Sequence, residues 1–319
     1  MWKTVLRRII LMIPQLIILS VIAFFVSKMM PGDAFSAYSQ DPNIDPAVIE
    51  QMRIKAGYYD PIYIQYFRWI GDILQGNFGQ SVVFKQSVLT VIGQRLNNTI
   101  WLSLVTLIIT YLIALPLGVI AGRYQNSIAD RIIVIYNFLT YSTPTFVFAI
   151  LMLWLFGYNL GWFPTRGSVD PGLSGLADLW SRLHHMILPA VTLAILSTTT
   201  TIQYLRTGII DAKSQDYVRT ARAKGVPERV VYNRHIFRNS LLPIASFLGY
   251  EITGLISGSV FIESIFTYPG IGQLFINSIS QRDYSVMLAL LLMFGVATLV
   301  GTLLSDIIMS IVDPRIRIK

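Results

Sequence analysis

The sequence predicts an all-α bundle of six membrane-crossing helices, and three observations point there. Apolar residues make up 54% of the 319-residue chain. Charged residues make up only 13%, about half the share usual in a soluble domain. The apolar residues are also gathered into uncharged runs of about 20, the length a helix needs to cross a bilayer core.

The first run is Ile9–Ser27. It follows Lys3, Arg7 and Arg8, as a secretory leader would, but it exceeds the ~7–15 apolar residues of such leaders and no A-x-A site follows, so it reads as an uncleaved first helix. The second run is Asn97–Gly122, with its apolar core starting near Thr99, and the third is Ile132–Tyr158. The fourth, Met186–Leu205, is the least apolar because of Ser197–Thr201, yet it carries no charge. The fifth extends from Leu241 to about Ile265 and contains Glu251 and Glu263; the sixth is Tyr284–Ser305. Pro14, Pro116, Pro144, Pro189 and Pro243 lie in or beside these runs, where each removes a backbone donor and can kink a helix. Gly118-x-x-x-Gly122 and Gly254-x-x-x-Gly258 predict close helix approach.

Between the runs, two segments are more than turns. Residues 31–95 are too long for a bare loop and contain DPAVIEQMRIKAGYYD and PIYIQYFRWIGDIL, both amphipathic and helix-like. They read as a helical scaffold outside the membrane, at its outer mouth. Residues 206–240 read as two short helices. Asp216 is the N-cap candidate of the first, Gly225 ends it with Pro227 just behind, and Glu228 opens the second.

Charge placement sets the orientation. Six crossings put both termini on one side, and with that side taken as the cytoplasm it carries sixteen of the 25 cations, eight of them between Arg206 and Arg238. Five of the others lie in the long 31–95 segment, and long segments count little in this rule. Both termini are therefore expected in the cytoplasm together with residues 206–240. The net charge of +8 thus follows membrane topology. It forms no basic patch with stacking aromatics, so nucleic-acid binding is excluded.

Catalytic kits are missing. With no Cys, disulfides and thiolate chemistry are excluded. There is no H-E-x-x-H, and the adjacent His184 and His185 lack a carboxylate-rich setting, so they read as membrane-interface residues and not as metal ligands. Gly172-Leu173-Ser174-Gly175 spells G-x-S-G, but it lies in a Gly- and Pro-marked outer loop and not at a helix start within the membrane. No G-x-x-x-x-G-K-[ST] cradle is present, so energy for any driven process must come from a partner. Among in-span charges, Glu251 has two readings, a lining group for a wet pathway that meets a cationic part of the cargo, or a carboxyl hydrogen-bonded between helices. Asp306 is expected to pair with Arg315 or Arg317 near the headgroups.

The 216–243 stretch, DYVRTARAKG followed by LLP, resembles the cytoplasmic signature loop of the membrane subunits of ABC importers. Arg219-Thr220-Ala221 occupies the E-A-A position, Gly225 that of the motif's Gly, and Leu242-Pro243 the close. Arg and Thr in place of Glu and Ala, and the longer interval to Pro243, resemble the dipeptide/oligopeptide branch. Met30-Pro31-Gly32-Asp33, Gly161-Trp162-Phe163-Pro164, the Glu263-x-x-Phe266-x-x-Pro269-Gly270-x-Gly272 block, Arg282-Asp283-Tyr284 and Asp313-Pro314-Arg315 extend the similarity over nearly the whole chain. The resemblance implies a type I ABC importer permease fold. Residues 1–30 would form the N-terminus and first helix, 31–95 the extracytoplasmic segment, 96–308 the five-helix core with its coupling loop 206–240, and 309–319 a cytoplasmic tail. It also implies an ATPase-coupling helix made of Asp216, Tyr217, Arg219, Thr220, Ala221, Ala223, Lys224 and Gly225, with small Ala221 and Ala223 permitting close docking. The implied partners are a second permease, two ATPase subunits that hold the ATP and Mg, an extracytoplasmic peptide-binding protein, and the plasma membrane of a bacterium or archaeon. The chain itself would bind no cofactor and be no enzyme. The competing classes are an autonomous secondary transporter or channel, for which no inverted repeat is evident, and an intramembrane enzyme.

Overall fold

The computed structural model of the chain describes residues 2–29 and 44–312. The Met30–Asp33 motif, the Asp313–Arg315 ending and the tail cations lie outside them. The described residues are helical almost throughout; an isolated antiparallel bridge between Gln80 and Ser87 stands in place of any strand. The helices are α1 (Trp2–Met29), α2 (Pro46–Lys55), α3 (Ile62–Leu74), α4 (Val88–Arg123), α5 (Ile128–Ser142), α6 (Thr145–Met152), α7 (Gly175–Ser214), α8 (Asp216–Ala223), α9 (Glu228–Val230), α10 (Arg238–Ser240), α11 (Leu242–Gly258), α12 (Val260–Ile265), α13 (Ile271–Ser280) and α14 (Tyr284–Val312). π-helical turns extend α6 over Leu153–Asn159 and join α9 to α10 over Val231–Phe237.

Four of the predicted spans are single helices long and apolar enough to cross a bilayer: α1, α4, α7 and α14. The third is broken instead, with α5 and the α6 segment bent by 103°. Pro144 explains the break. A proline pushes the residue before it out of the helical basin, and Thr143 accordingly sits at φ −87°, ψ 120°. The hydroxyls of Ser142 and Thr143 donate to the carbonyls of Phe138 and Leu139 at 2.8 and 2.7 Å, tidying the frayed end. The fifth run is not one helix either. It divides at Ser259 into the 17-residue α11 and the short α12; α11 alone is about 26 Å long, just under the ~30 Å of a bilayer core.

The fourth span departs in the other direction. Residues expected in an outer loop belong to α7, which starts at Gly175 and continues for 40 residues. At 1.5 Å per residue that is about 60 Å, twice the bilayer core. An Asp178–Arg182 pair at 2.7 Å, spaced i to i+4, supports its first turns. The Gly and Pro signals at 171–175 mark only where the helix begins.

Without a hydrophobic drive between helices in lipid, close packing must hold them. α4 lies along α7, with Gly118 and Gly122 pressed against Leu205 and Ile209. α11 lies along α14 by another contact than the predicted one. Gly254 has nothing within 4 Å that an added Cβ would meet, whereas a Cβ on Gly249 would come within 2.7 Å of the Gly301 carbonyl oxygen. α1 packs on α14, where Leu19 fills the space over Gly295. Arg8 of α1 pairs with Asp306 at 2.9 Å; Arg315 and Arg317, the partners expected for Asp306, lie outside the described residues. α3 packs across the other end of α1: Tyr66 meets the Phe24 ring edge-on, Trp69 lies tilted against it, and Lys28 donates to Gln65 at 2.6 Å. Thus α2 and α3 lie at one end of the bundle, and α8 to α10 at the other.

Candidate functional site

The basic loop builds a compact platform. Gln215, extended at φ −74°, ψ 147°, releases the chain from α7, and α8 starts at Asp216. Asp216 is therefore the first helical residue and not the cap, an acid placed where the helix dipole favours one. The far end closes as the sequence predicts. Gly225 adopts φ 71°, its amide donates to the Arg222 carbonyl at 2.9 Å, and Val226 N–H reaches the Ala221 carbonyl at 3.2 Å. That paired arrangement is a Schellman cap, which needs a left-handed residue where Gly stands.

The two faces of α8 differ. Val218 and Ala221 are buried against Leu205, Ile209, Ala212, Val231 and Ile236; burying one such aliphatic side chain contributes about 1.5–3 kcal/mol. Asp216, Tyr217, Arg219, Thr220, Ala223, Lys224 and Gly225 face outward. Of the two alanines expected to permit docking, Ala223 is therefore on the open face and Ala221 anchors the helix from below. Arg219 and Asp216 lie 3.5 Å apart, both largely solvated, a pair worth little to stability. Arg222 pairs with Glu228 at 2.7 Å. Its hydrogen bond holds the Glu228 carboxyl below the usual carboxylate range, and the Arg222 guanidinium is raised in turn.

Glu251 lies on α11, facing α4, where the Tyr111 hydroxyl donates to its carboxylate. The structure therefore places it as an interhelical hydrogen-bond acceptor, in the manner of the second sequence reading. His184 and His185 separate: the first contacts the Trp162 carbonyl at 2.9 Å, the second is buried with Nδ1 2.8 Å from the Ser181 carbonyl oxygen. Ser174 is the residue just before α7.

A second constellation was visible only as a motif. Glu263 is completely buried. Its Oε1 accepts from Thr99 Oγ1 at 2.6 Å and Ser259 Oγ at 3.0 Å, and its Oε2 from the amides of Gly272 at 2.7 Å and Gln273 at 3.1 Å. Thr99 Oγ1 accepts from the Ile271 amide at 2.9 Å. The first three amides of α13, which have no partner within their own helix, are thus satisfied by α12 and α4. A Cβ on Gly270 would collide with this carboxylate, and one on Gly272 with the Val260 backbone beside it, so the spacing of Glu263 from these glycines was the available signal.

The description "binding-protein-dependent transport system inner membrane component" matches residues 114–318, and the N-terminal component of the same system matches residues 1–105. The oligopeptide transport system permease protein AppB of Bacillus subtilis (strain 168) is 41% identical over 313 residues, covering 98% of each chain. The glutathione transport system permease protein GsiC of Escherichia coli (strain K12) is 33% identical over 319 residues, covering 100% of both. Among solved structures, a chain of the MetNI methionine ABC transporter in inward-facing conformations superposes with a TM-score of 0.55. It is 14% identical, and the match covers 70% of this chain and 97% of that one.

Proposed function

The chain belongs to the family of binding-protein-dependent transport system inner membrane components, and from that membership we propose that it is the permease subunit forming half of the membrane pathway of an ATP-driven peptide importer. A second permease completes the pathway. Two ATPase subunits hold the ATP and Mg and dock on the outward face of α8, through Asp216, Tyr217, Arg219, Thr220, Ala223 and Lys224, with Ala221 and Gly225 shaping the helix. A peptide-binding protein delivers cargo to the opposite end. The relatives are named for oligopeptides and glutathione, which supports a peptide cargo class.

The observation that carries this reading is α8 itself: a polar helix with an open face, capped at Gly225 and seated by Val218 and Ala221 on the end of a membrane helix. Both termini and α8 are assigned to the cytoplasm of a bacterium or archaeon. Residues 31–95 are assigned to the outer mouth, 96–308 to the transport core and 309–319 to a cytoplasmic tail. Glu251 is assigned to the pathway, where a cationic cargo group competes for the carboxylate that Tyr111 now holds.

Purification of the chain produced together with its neighbours tests the reading. ATPases should copurify, and Gly225→Val, which forces a branched residue to positive φ, should abolish ATP-driven uptake into vesicles. Uptake by the chain alone, without ATP, would overturn the assignment in favour of a secondary transporter.

A further inference from the structure

The corner between α4 and α5 is gripped from several directions at once. The chain turns there through residues 124–127, with Asn126 at φ 66°. α4 ends at Arg123, so its last carbonyls have no donor within the helix. Lys213, in the last turn of α7, supplies one: its Nζ donates to Gly122 O at 2.7 Å and to Arg123 O at 2.6 Å. Two turns earlier on the same face, Arg206 binds Asp130 with both prongs, at 2.7 and 2.9 Å. Asp130 is only 2% exposed and also accepts from the Asn126 amide at 2.8 Å. On the other side, the Arg123 guanidinium lies 4.7 Å from the centre of the Tyr232 ring, in the π-helical turns that follow α9. The elements on either side of α8 thus hold the same corner, although no residue of α8 itself touches it in these bonds.

We propose that Lys213 is a positioning residue for transport. It locks the α4–α5 corner to the end of α7 that carries α8, so that displacement of α8 moves α4, α5 and α7 as one block. α11 and α14 form a second pair, packed through Gly249 and Gly301; α11 meets α4 and α7 through apolar contacts such as Tyr204 with Phe247, but neither α11 nor α14 supplies a bond to this lock. Arg206 and Asp130 hold the corner in register; Lys213 closes it at the point nearest α8. This inference rests on α8 being the ATPase-coupling helix, and the test distinguishes the two.

The chain contains no Cys, so introduced cysteines are its only labelling points. Spin labels at Gln125→Cys and Gln215→Cys report the lock; labels at Gln215→Cys and Ile311→Cys report the other block. In the assembled importer, with partner subunits free of reactive Cys, the first distance should stay constant between nucleotide-free and ATP-bound states while the second changes. Lys213→Met keeps the aliphatic stem and removes the donor. It should leave assembly and ATP hydrolysis in place, broaden the first distance, and lower uptake per ATP hydrolysed by about tenfold, within the usual range of coupling between sites. Lys213→Arg should restore both. An unchanged distance and an unchanged uptake ratio in Lys213→Met, or an arginine that rescues neither, would overturn the lock. ATP-driven uptake with both wild-type distances fixed would overturn the coupling role of α8 and the lock with it.

Discussion

Glu263 uses its acceptor capacity on four donors drawn from three separate parts of the chain. Enclosing a carboxylate is costly unless it is fully hydrogen-bonded, and here the bonds also cap α13. Replacing it with Ala leaves those donors buried and unpaired, at a cost of about 1–3 kcal/mol for each one left unsatisfied. Thermal unfolding in detergent should show a marked drop for Glu263→Ala and a smaller one for Glu263→Gln, which keeps part of the acceptor set. Gly270→Ala should behave like Glu263→Ala, since its methyl would displace the same carboxylate; a neutral outcome would show that the cap is not needed. The sequence displayed Glu263 and its glycines as a motif, but not the role, because Thr99 lies 164 residues away and no local pattern reports such a partner. Gly225 was the opposite case. A glycine after a polar helical stretch with Pro close behind is a local signal, and the cap formed where that signal stood.

Helices whose ends are set by neighbouring residues were legible, and those set by tertiary contacts were not. α2 starts with Asp45 accepting from the Ala47 amide at 2.8 Å, just ahead of Pro46, which any reader of caps would expect. The division of the fifth run at Ser259 follows from Glu263 reaching α13, and the first turns of α7 are held by Ser181 on Asp170 and His184 on the Trp162 carbonyl; neither was readable as hydrophobic periodicity. Pro144 was noted as a possible kink, but the size of the bend depends on what α5 and α6 pack against. Pro144→Ala should restore the missing donor and reduce the bend between them, read as a longer distance between spin labels at Ile132→Cys and Trp154→Cys. At the α11–α14 contact, Gly249→Leu should force the helices apart and lower the yield of folded protein severalfold, as overpacking a close seam costs ~1–3 kcal/mol or more. Gly254→Leu, with open space around it, should be tolerated.

On the scale of the molecule, two helix pairs, α4 with α7 and α11 with α14, are joined where α11 meets α4 and α7, through Tyr111 with Glu251 and Tyr204 against Phe247. The all-α class and the family were legible from composition and motifs. The way the helices pair was not, because small residues that permit close approach do not say which helix approaches. The assigned orientation makes an outcome that impermeant thiol reagents can check. Gln75→Cys should react in intact cells, and Gln215→Cys only after the membrane is opened; the reverse pattern would invert the topology. The continuity of α7 has a mechanical consequence of its own. Moving as one rod some 60 Å long, twice the bilayer core, α7 would carry each tip through roughly 5 Å in opposite senses for a tilt of about 10° around its middle. His185, about 15 Å from the first residue of α7, and Lys213 in its last turn would then move in opposite senses, and on the proposed role of α8 a single push from below would also be the stroke that rearranges the doorway above.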